Sequence, residues 1–190
     1  PALEALRAGK PARTVKVPPE LAETFKGLQL MTAKPVLYVC NVEEESAATG
    51  NAQSARVAEK AKAEGAVSVV ISAAIEAEVA QLTDEAERKA FLESLGLEET
   101  GLARVIRAGY GLLDLITYFT VGPKEARAWT VHTNATGPEA AGVIHTDFQR
   151  GFIAAEVTAY KDFVACGGEQ GAQAAGKMRL EGRDYIVQDG

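Results

Sequence analysis

Apolar residues follow two different patterns along this chain. Between residues 31 and 113 short continuous apolar runs alternate with segments of helical spacing, and from Asp114 onward β-branched and aromatic residues dominate. Lys34-Pro35-Val36-Leu37-Tyr38-Val39-Cys40 ends abruptly in Asn41-Val42-Glu43-Glu44, and Ala66-Val67-Ser68-Val69-Val70-Ile71 ends in Ser72-Ala73-Ala74. Unbroken apolar runs bounded by Pro, Gly and polar residues predict parallel strands buried on both faces. Between them Val57, Ala58 and Ala61 recur at helical spacing, and Gly65 stops that helix. Strand, helix and parallel strand form a right-handed crossover unit, whose ligands bind beyond the carboxyl ends of the strands. Asn41, Glu44 and Ser72-Ala73-Ala74 are therefore predicted to face one crevice. An asparagine amide can donate to and accept from a purine edge, and a carboxylate can accept from base N–H groups.

Three segments follow from the same patterning. Residues 1–30 hold a short helical pattern at Leu3 and Leu6, a Pro-punctuated basic stretch at Lys10-Pro11-Ala12-Arg13, and a second helix start at Pro18-Pro19-Glu20. Residues 31–113 add an acidic, capped helix from Thr83-Asp84-Glu85 to Gly96. They also add a stripe at Leu102, Val105, Ile106, Gly109, Leu112 and Leu113 that predicts a helix with one face against the sheet. In 114–190, Leu115–Val121 and Ala126–Val131 predict a hairpin turned by Gly122-Pro123. Thr136-Gly137-Pro138-Glu139 opens a helix that Gly151 ends, Phe152–Val157 returns as a strand, and Tyr185-Ile186-Val187 is another. Two strands, a helix and further strands is the order of a β-grasp fold.

Charge and composition narrow the chemistry. The net charge is −6, and from Asp114 onward seven Lys and Arg face ten Asp and Glu, so no basic face of the kind that binds bare duplex is predicted. Lys177, Arg179 and Arg183 form the one basic cluster near the end, interrupted by Glu181 and Asp184. No apolar run reaches 18 residues, so no membrane span is predicted. The two cysteines, Cys40 and Cys166, fall in different segments and predict two free thiols rather than a disulfide framework. His132 and His145 lack partners at metal-ligand spacing, and the side chains of His145-Thr146-Asp147-Phe148, placed on one helix, point to different faces. No catalytic and no metal residue is assigned. The glycines of Gly167-Gly168-Glu169-Gln170-Gly171 lack a preceding apolar strand and a following Lys-Ser/Thr, so they predict turns and helix boundaries.

Asn41-Val42-Glu43-Glu44 and Ser72-Ala73-Ala74 resemble the base-binding pair of P-loop GTPases, Asn-Lys-x-Asp and Ser-Ala-x, with Val for Lys and Glu for Asp. In that departure the chain is similar to the YchF (Obg-like ATPase) family, whose Asn-x-x-Glu loop goes with a preference for ATP over GTP. Further blocks resemble the same family in order: Glu76–Leu82, Leu95–Glu99, Arg104–Tyr110, Tyr118-Phe119-Thr120, Arg127–Thr130, His145–Phe148, Gly168–Gly171 and Asp184–Val187. Roughly residues 31–190 carry the likeness, and 1–30 carry it more loosely.

The resemblance implies an α/β fold, the remaining half of a P-loop NTPase G domain, followed by an α+β β-grasp TGS domain. Its segments would be the tail of a helical insertion (1–30), the C-terminal part of the nucleotide-binding domain (31–113) and a TGS domain lacking its last strand (114–190). It implies a cytoplasmic, ribosome-associated ATPase using ATP, or GTP less well, with magnesium. Its partners would be the large ribosomal subunit and ribosomal RNA, reached through the TGS and helical regions, with neither DNA nor membrane. The implied base-binding residues are Asn41, Val42, Glu44, Ser72, Ala73 and Ala74, with Val42 covering the flat face of the base. No Gly-x-x-x-x-Gly-Lys-Ser/Thr loop occurs here, so phosphate-binding residues are expected upstream of Pro1 and this piece alone is expected to be inactive. The alternative is a non-enzymatic TGS module that binds RNA or the ribosome, since TGS domains also occur in threonyl-tRNA synthetases and stringent-response enzymes.

Overall fold

A pair of parallel strands organises the first part of the molecule and an antiparallel hairpin the second. The computed structural model describes all 190 residues, which divide into two compact units, Pro1–Leu112 and Leu113–Gly190. In order, the first unit holds α1 (Ala2–Arg7), α2 (Ala22–Gly27), β1 (Leu37–Asn41), α3 (Ala52–Glu64), β2 (Val67–Ile71), α4 (Ala73–Val79), α5 (Glu85–Ser94) and α6 (Gly101–Leu112). Short 3-10 turns link them, among them Pro19–Leu21 before α2 and Glu44–Ser46 after β1.

β1 and β2 pair in parallel, from Leu37 opposite Val67 to Asn41 opposite Ile71. The crossover helix α3 starts at a reciprocal cap: Asn51 Oδ1 accepts from Ser54 N at 2.9 Å, and Ser54 Oγ accepts from Asn51 N at 2.8 Å. It stops at Gly65, whose φ of 66° is left-handed backbone that a side chain would strain. The short helix α4 was not predicted by the pattern, yet it supplies Ile75 and Val79 to a core completed by Ala47, Leu92 and Leu97.

Two burial expectations fail. β1 is not buried on both faces: Val39 is 46% exposed, because β2 is the single strand paired with β1. Nor does α6 bury its whole stripe. Gly101 is buried, and Val105, Ala108 and Leu112 are half-buried on the side that meets the sheet. Leu102 and Ile106, about a quarter-turn around, are 61% and 52% exposed. A stripe that broad covers more of the helix circumference than a two-stranded sheet can face.

One carboxylate ties the N-terminal segment to this core. Glu64, at the end of α3, takes the Arg13 guanidinium at 2.7 Å and the Tyr38 hydroxyl at 2.9 Å on the same oxygen, with Lys60 Nζ 3.9 Å from the other. Beside Arg13, fully buried Ala12 donates its N–H to Thr32 Oγ1 at 3.1 Å.

The second unit holds β3 (Leu115–Val121), β4 (Ala126–His132), α7 (Gly137–Ile144), α8 (Thr146–Arg150), β5 (Ala155–Val157), α9 (Tyr160–Ala165), α10 (Glu169–Ala174) and β6 (Arg179–Glu181). β3 and β4 form the hairpin, with Tyr118 opposite Trp129. Gly137 at the start of α7 admits the ring of Phe152, which a Cβ there would approach to 2.8 Å. Tyr118 donates to Ala140 O at 2.8 Å and holds α7 over the hairpin, and burial raises its phenol pKa.

Several boundaries differ from the sequence pattern. The helix predicted up to Gly151 breaks at His145, which is extended (φ −161°) and caps α8 by accepting from Asp147 N through Nδ1 at 3.2 Å. The strand predicted over 152–157 shortens to β5, which pairs with β6, an element the pattern did not predict. Tyr185–Val187 makes a single bridge, Ile186 to Thr136, instead of a strand. Gly167 and Gly168, both at positive φ, do separate α9 from α10. The last residues run beside β3, where Gly190 N donates to Thr117 O and Thr117 N to Asp189 Oδ1, both at 2.8 Å. β3–β4 and β5–β6 remain separate two-stranded pairings and do not join into one continuous ladder.

The Glu64 cluster yields a pH test. The Tyr38 hydroxyl, then Arg13 and Lys60, hold the Glu64 carboxyl below its ordinary value of 4.5. A depressed folded pKa gives stability present above the unfolded pKa and lost as pH falls through the folded one. Glu64→Gln is therefore expected to lower the melting temperature at neutral pH, with the gap closing as pH falls below the carboxylate range. Melting curves at several pH values check this; a gap that stays constant refutes it.

Candidate functional site

The parallel register brings the two polar strand ends together. Val42 N donates to Ile71 O at 2.9 Å, which extends the ladder one residue past Asn41. At the next residue pair the Asn41 side chain takes over: its Oδ1 accepts from Ala73 N at 2.8 Å. Ala73 opens α4, and the first N–H groups of a helix have no partner within it. Asn41 thus caps α4 from the neighbouring strand. With its oxygen so engaged, the NH2 of this exposed side chain is the group left to donate outward.

The other candidates take different positions. Ser72 is 2% exposed, and its Oγ has no hydrogen-bond partner. Ala73 and Ala74 are exposed and small. The Ala73 N–H is already used by Asn41, so Ala73 offers its methyl group and not a donor. Val42 is 8% exposed, so little of it is open to solvent. Glu44 stands exposed in the turn Glu44–Ser46, and neighbouring Glu43 accepts from Asn51 Nδ2 at 3.1 Å.

A shallow groove of about 270 Å³ lies beside β1, lined among others by Asn41, Val42, Asn51 and Ser54. Glu44, Ser72, Ala73 and Ala74 lie outside its lining. Asn41 therefore stands between two neighbourhoods, the groove toward α3 and the small-residue turn at the start of α4. No group of three or more His, Cys, Asp or Glu side chains is gathered so as to hold a metal. Elsewhere, Lys177 pairs with Asp162 at 3.5 Å and Arg179 with Glu181 at 2.9 Å, while Arg183 donates to Phe152 O at 2.7 Å. The basic cluster is thus tied down within the chain.

Two residues at this corner went unnoticed in the sequence. Glu76, one turn into α4, accepts from Gly101 N at 2.6 Å and from Leu102 N at 3.1 Å, so its carboxylate caps α6. A Cβ on Gly101 would stand 2.9 Å from Ile71 and 3.0 Å from Glu76 Oε1, so glycine lets α6 start flush against the end of β2. The sequence offered little signal for a contact spanning 25 residues, beyond a glycine at a helix start.

Comparison with known proteins gives consistent relatives. A family model described as YchF-GTPase_C, protein of unknown function (DUF933), matches residues 115–190. A "Ribosome-binding ATPase YchF" of Haemophilus ducreyi is 57% identical over 94% of this chain and 48% of its own length. The protein of the same name from Bacillus subtilis is 50% identical over 98% of this chain and 51% of its own length. Among solved structures, the Schizosaccharomyces pombe YchF GTPase is similar with a TM-score of 0.79 and 32% identity, covering 97% of this chain and 49% of that one. The chain spans about half the length of the relatives it matches, and its mixed α/β structure is that of the corresponding half.

If Asn41 caps α4, the cap is separable from the free amide. Asn41→Ala is expected to cost about 1 kcal/mol, the usual size of a lost cap, whereas Asn41→Asp keeps an accepting oxygen and most of the stability. Urea unfolding of the three chains measures this, and equal losses for both variants would refute the capping role.

Proposed function

Because this chain belongs to the YchF family, we propose that the complete protein is a cytoplasmic, ribosome-associated P-loop NTPase that prefers ATP to GTP. In this proposal the first unit is the C-terminal part of the nucleotide-binding domain, preceded by the tail of a helical insertion, and the second unit is a TGS module of β-grasp type. The observation that carries it is the hydrogen bond from Ala73 N to Asn41 Oδ1 across the two strand ends, which unites the Asn-x-x-Glu and Ser-Ala-Ala segments.

The residues present fit a purine. The free Asn41 NH2 can donate to a ring nitrogen, exposed Ala73 and Ala74 leave room beside the ring, and the unpartnered hydroxyl of Ser72 lies directly behind them in the chain. Glu44 selects the base: guanine carries a ring N–H and an amino group that a short carboxylate at this place accepts, and adenine lacks both there. Val42, largely buried, lines the groove beside Asn41. No group of three or more His, Cys, Asp or Glu side chains in this chain is gathered to hold magnesium. The triphosphate would be held by residues of the other half.

The second unit would meet the large ribosomal subunit through RNA. A cation–π pair supports this: the Arg127 guanidinium carbon lies 4.1 Å from the centre of the Trp129 ring, and such groups are ones on which unpaired bases stack. A role as a TGS module alone would leave the joined strand ends of the first unit without a purpose.

Two measurements test the proposal. The chain by itself, holding base contacts without a phosphate loop, is expected to hydrolyse no ATP and to bind it only weakly, since phosphate loops supply much of the binding energy. A micromolar Kd by calorimetry with magnesium and ATP would refute this. In the complete protein, Glu44→Asp combined with Val42→Lys is expected to shift the GTP-to-ATP affinity ratio by roughly tenfold to a hundredfold, the size seen when a few buried hydrogen bonds are gained or lost. An unchanged ratio in the folded double variant would mean that other groups choose the base.

A further inference from the structure

We propose that Glu76 is the positioning residue of the base loop, tying Ser72-Ala73-Ala74 to the start of α6 as Asn41 ties it to β1. This rests on the base-binding role proposed above and adds to it a residue that never touches the nucleotide.

The three-residue loop has little to hold it by itself. It runs from the end of β2 into α4, a helix of seven residues, too short to be stable alone. It is fixed by Asn41 through Ala73 N. Residue 76 adds a backbone tie and a side-chain tie. Its own N–H donates to Ser72 O at 3.1 Å, closing the first turn of α4 on the loop. Its carboxylate then receives Gly101 N and Leu102 N, the first two N–H groups of the twelve-residue helix α6.

A carboxylate at a helix N-terminus is held both by unpartnered N–H groups and by the helix dipole. The anchor is therefore stronger than a surface contact and directional. The fit leaves no slack: Gly101 lies against Ile71 and Glu76 so closely that even a methyl group would intrude. Ile71, Ser72, Glu76 and Gly101 form one corner, where α6 meets α4 through the Glu76 carboxylate and the end of β2 through Gly101. Without the Glu76 carboxylate the tie from this segment to the start of α6 is lost, and the Asn41 bond and the core packing of Ile75 are what still hold it.

The consequence is selective. Loosening the loop weakens contacts to the base and leaves contacts to the phosphates as they are. The test compares ATP with inorganic tripolyphosphate, which has no base, binding to the complete protein with magnesium by calorimetry. Glu76→Ala is expected to weaken ATP binding about tenfold, the effect of losing charge-assisted hydrogen bonds, and to change tripolyphosphate binding less than about twofold. Glu76→Gln, whose amide oxygen still accepts one N–H, is expected to recover most of the ATP affinity; it also decides the matter if the alanine variant does not fold, by weakening ATP alone and by a smaller factor. Equal weakening of both ligands, or of neither, overturns the positioning role while leaving the base site standing. Equal affinity of the unaltered protein for ATP and tripolyphosphate overturns the base site, and this role with it.

Discussion

The parallel register of β1 and β2 is the constraint on which the rest of the first unit depends. Side chains alternate along a strand, so a slip of one residue would turn Asn41 to the opposite face. In the observed register Asn41 lies opposite Ile71, and its oxygen comes within reach of the first N–H of α4. That bond allows α4 to begin immediately after β2, and α4 places Ile75 and Val79 in the core with Leu92 and Leu97 of the following segment. The crossover helix α3, bounded by the Asn51–Ser54 cap and by Gly65, sets the length that makes this register possible.

Acidic side chains do much of the joining in this chain. Glu64 gathers Arg13 and Tyr38, Glu76 gathers the first turn of α6, and Glu139 accepts the Thr136 N–H at 2.7 Å and its hydroxyl at 2.8 Å at the start of α7. The Thr136 bonds hold the Glu139 carboxyl below its ordinary pKa, as expected where a carboxylate accepts more than one hydrogen bond. Two of the three sit beside helix N-termini, where negative charge is favoured. A net charge of −6 is thus partly an account of helix starts.

In the second unit the basic cluster near the end of the chain is bound internally. Lys177, Arg179 and Arg183 each find a partner within the chain, which removes the local cluster as a ready phosphate-binding patch. Aromatic groups remain instead: the Arg127–Trp129 stack and the Phe119–Tyr160 pair, whose ring centres lie 5.3 Å apart. Recognition of nucleic acid through such a surface would rely on stacking and shape more than on net charge.

Local patterns decided most of the elements. The apolar runs before Asn41 and Ser72, the Gly65 stop, the Asp84 cap and the Thr136–Glu139 start are each written in neighbouring residues and appear in the structure, because propensity and capping act over a few positions. The strand-end location of Asn41 and Ser72 was legible for the same reason. What needed the tertiary structure were relations between distant residues. The pairing of β5 with β6, the burial of Val42, the loss of the Ala73 N–H to Asn41 and the Glu76–Gly101 corner depend on groups up to 32 positions apart. Burial likewise could not be read from apolar spacing alone: Val39, Leu102 and Ile106 have the pattern of buried residues but remain exposed. Periodicity says which side of an element is apolar, and only the packed neighbours decide whether that side is covered.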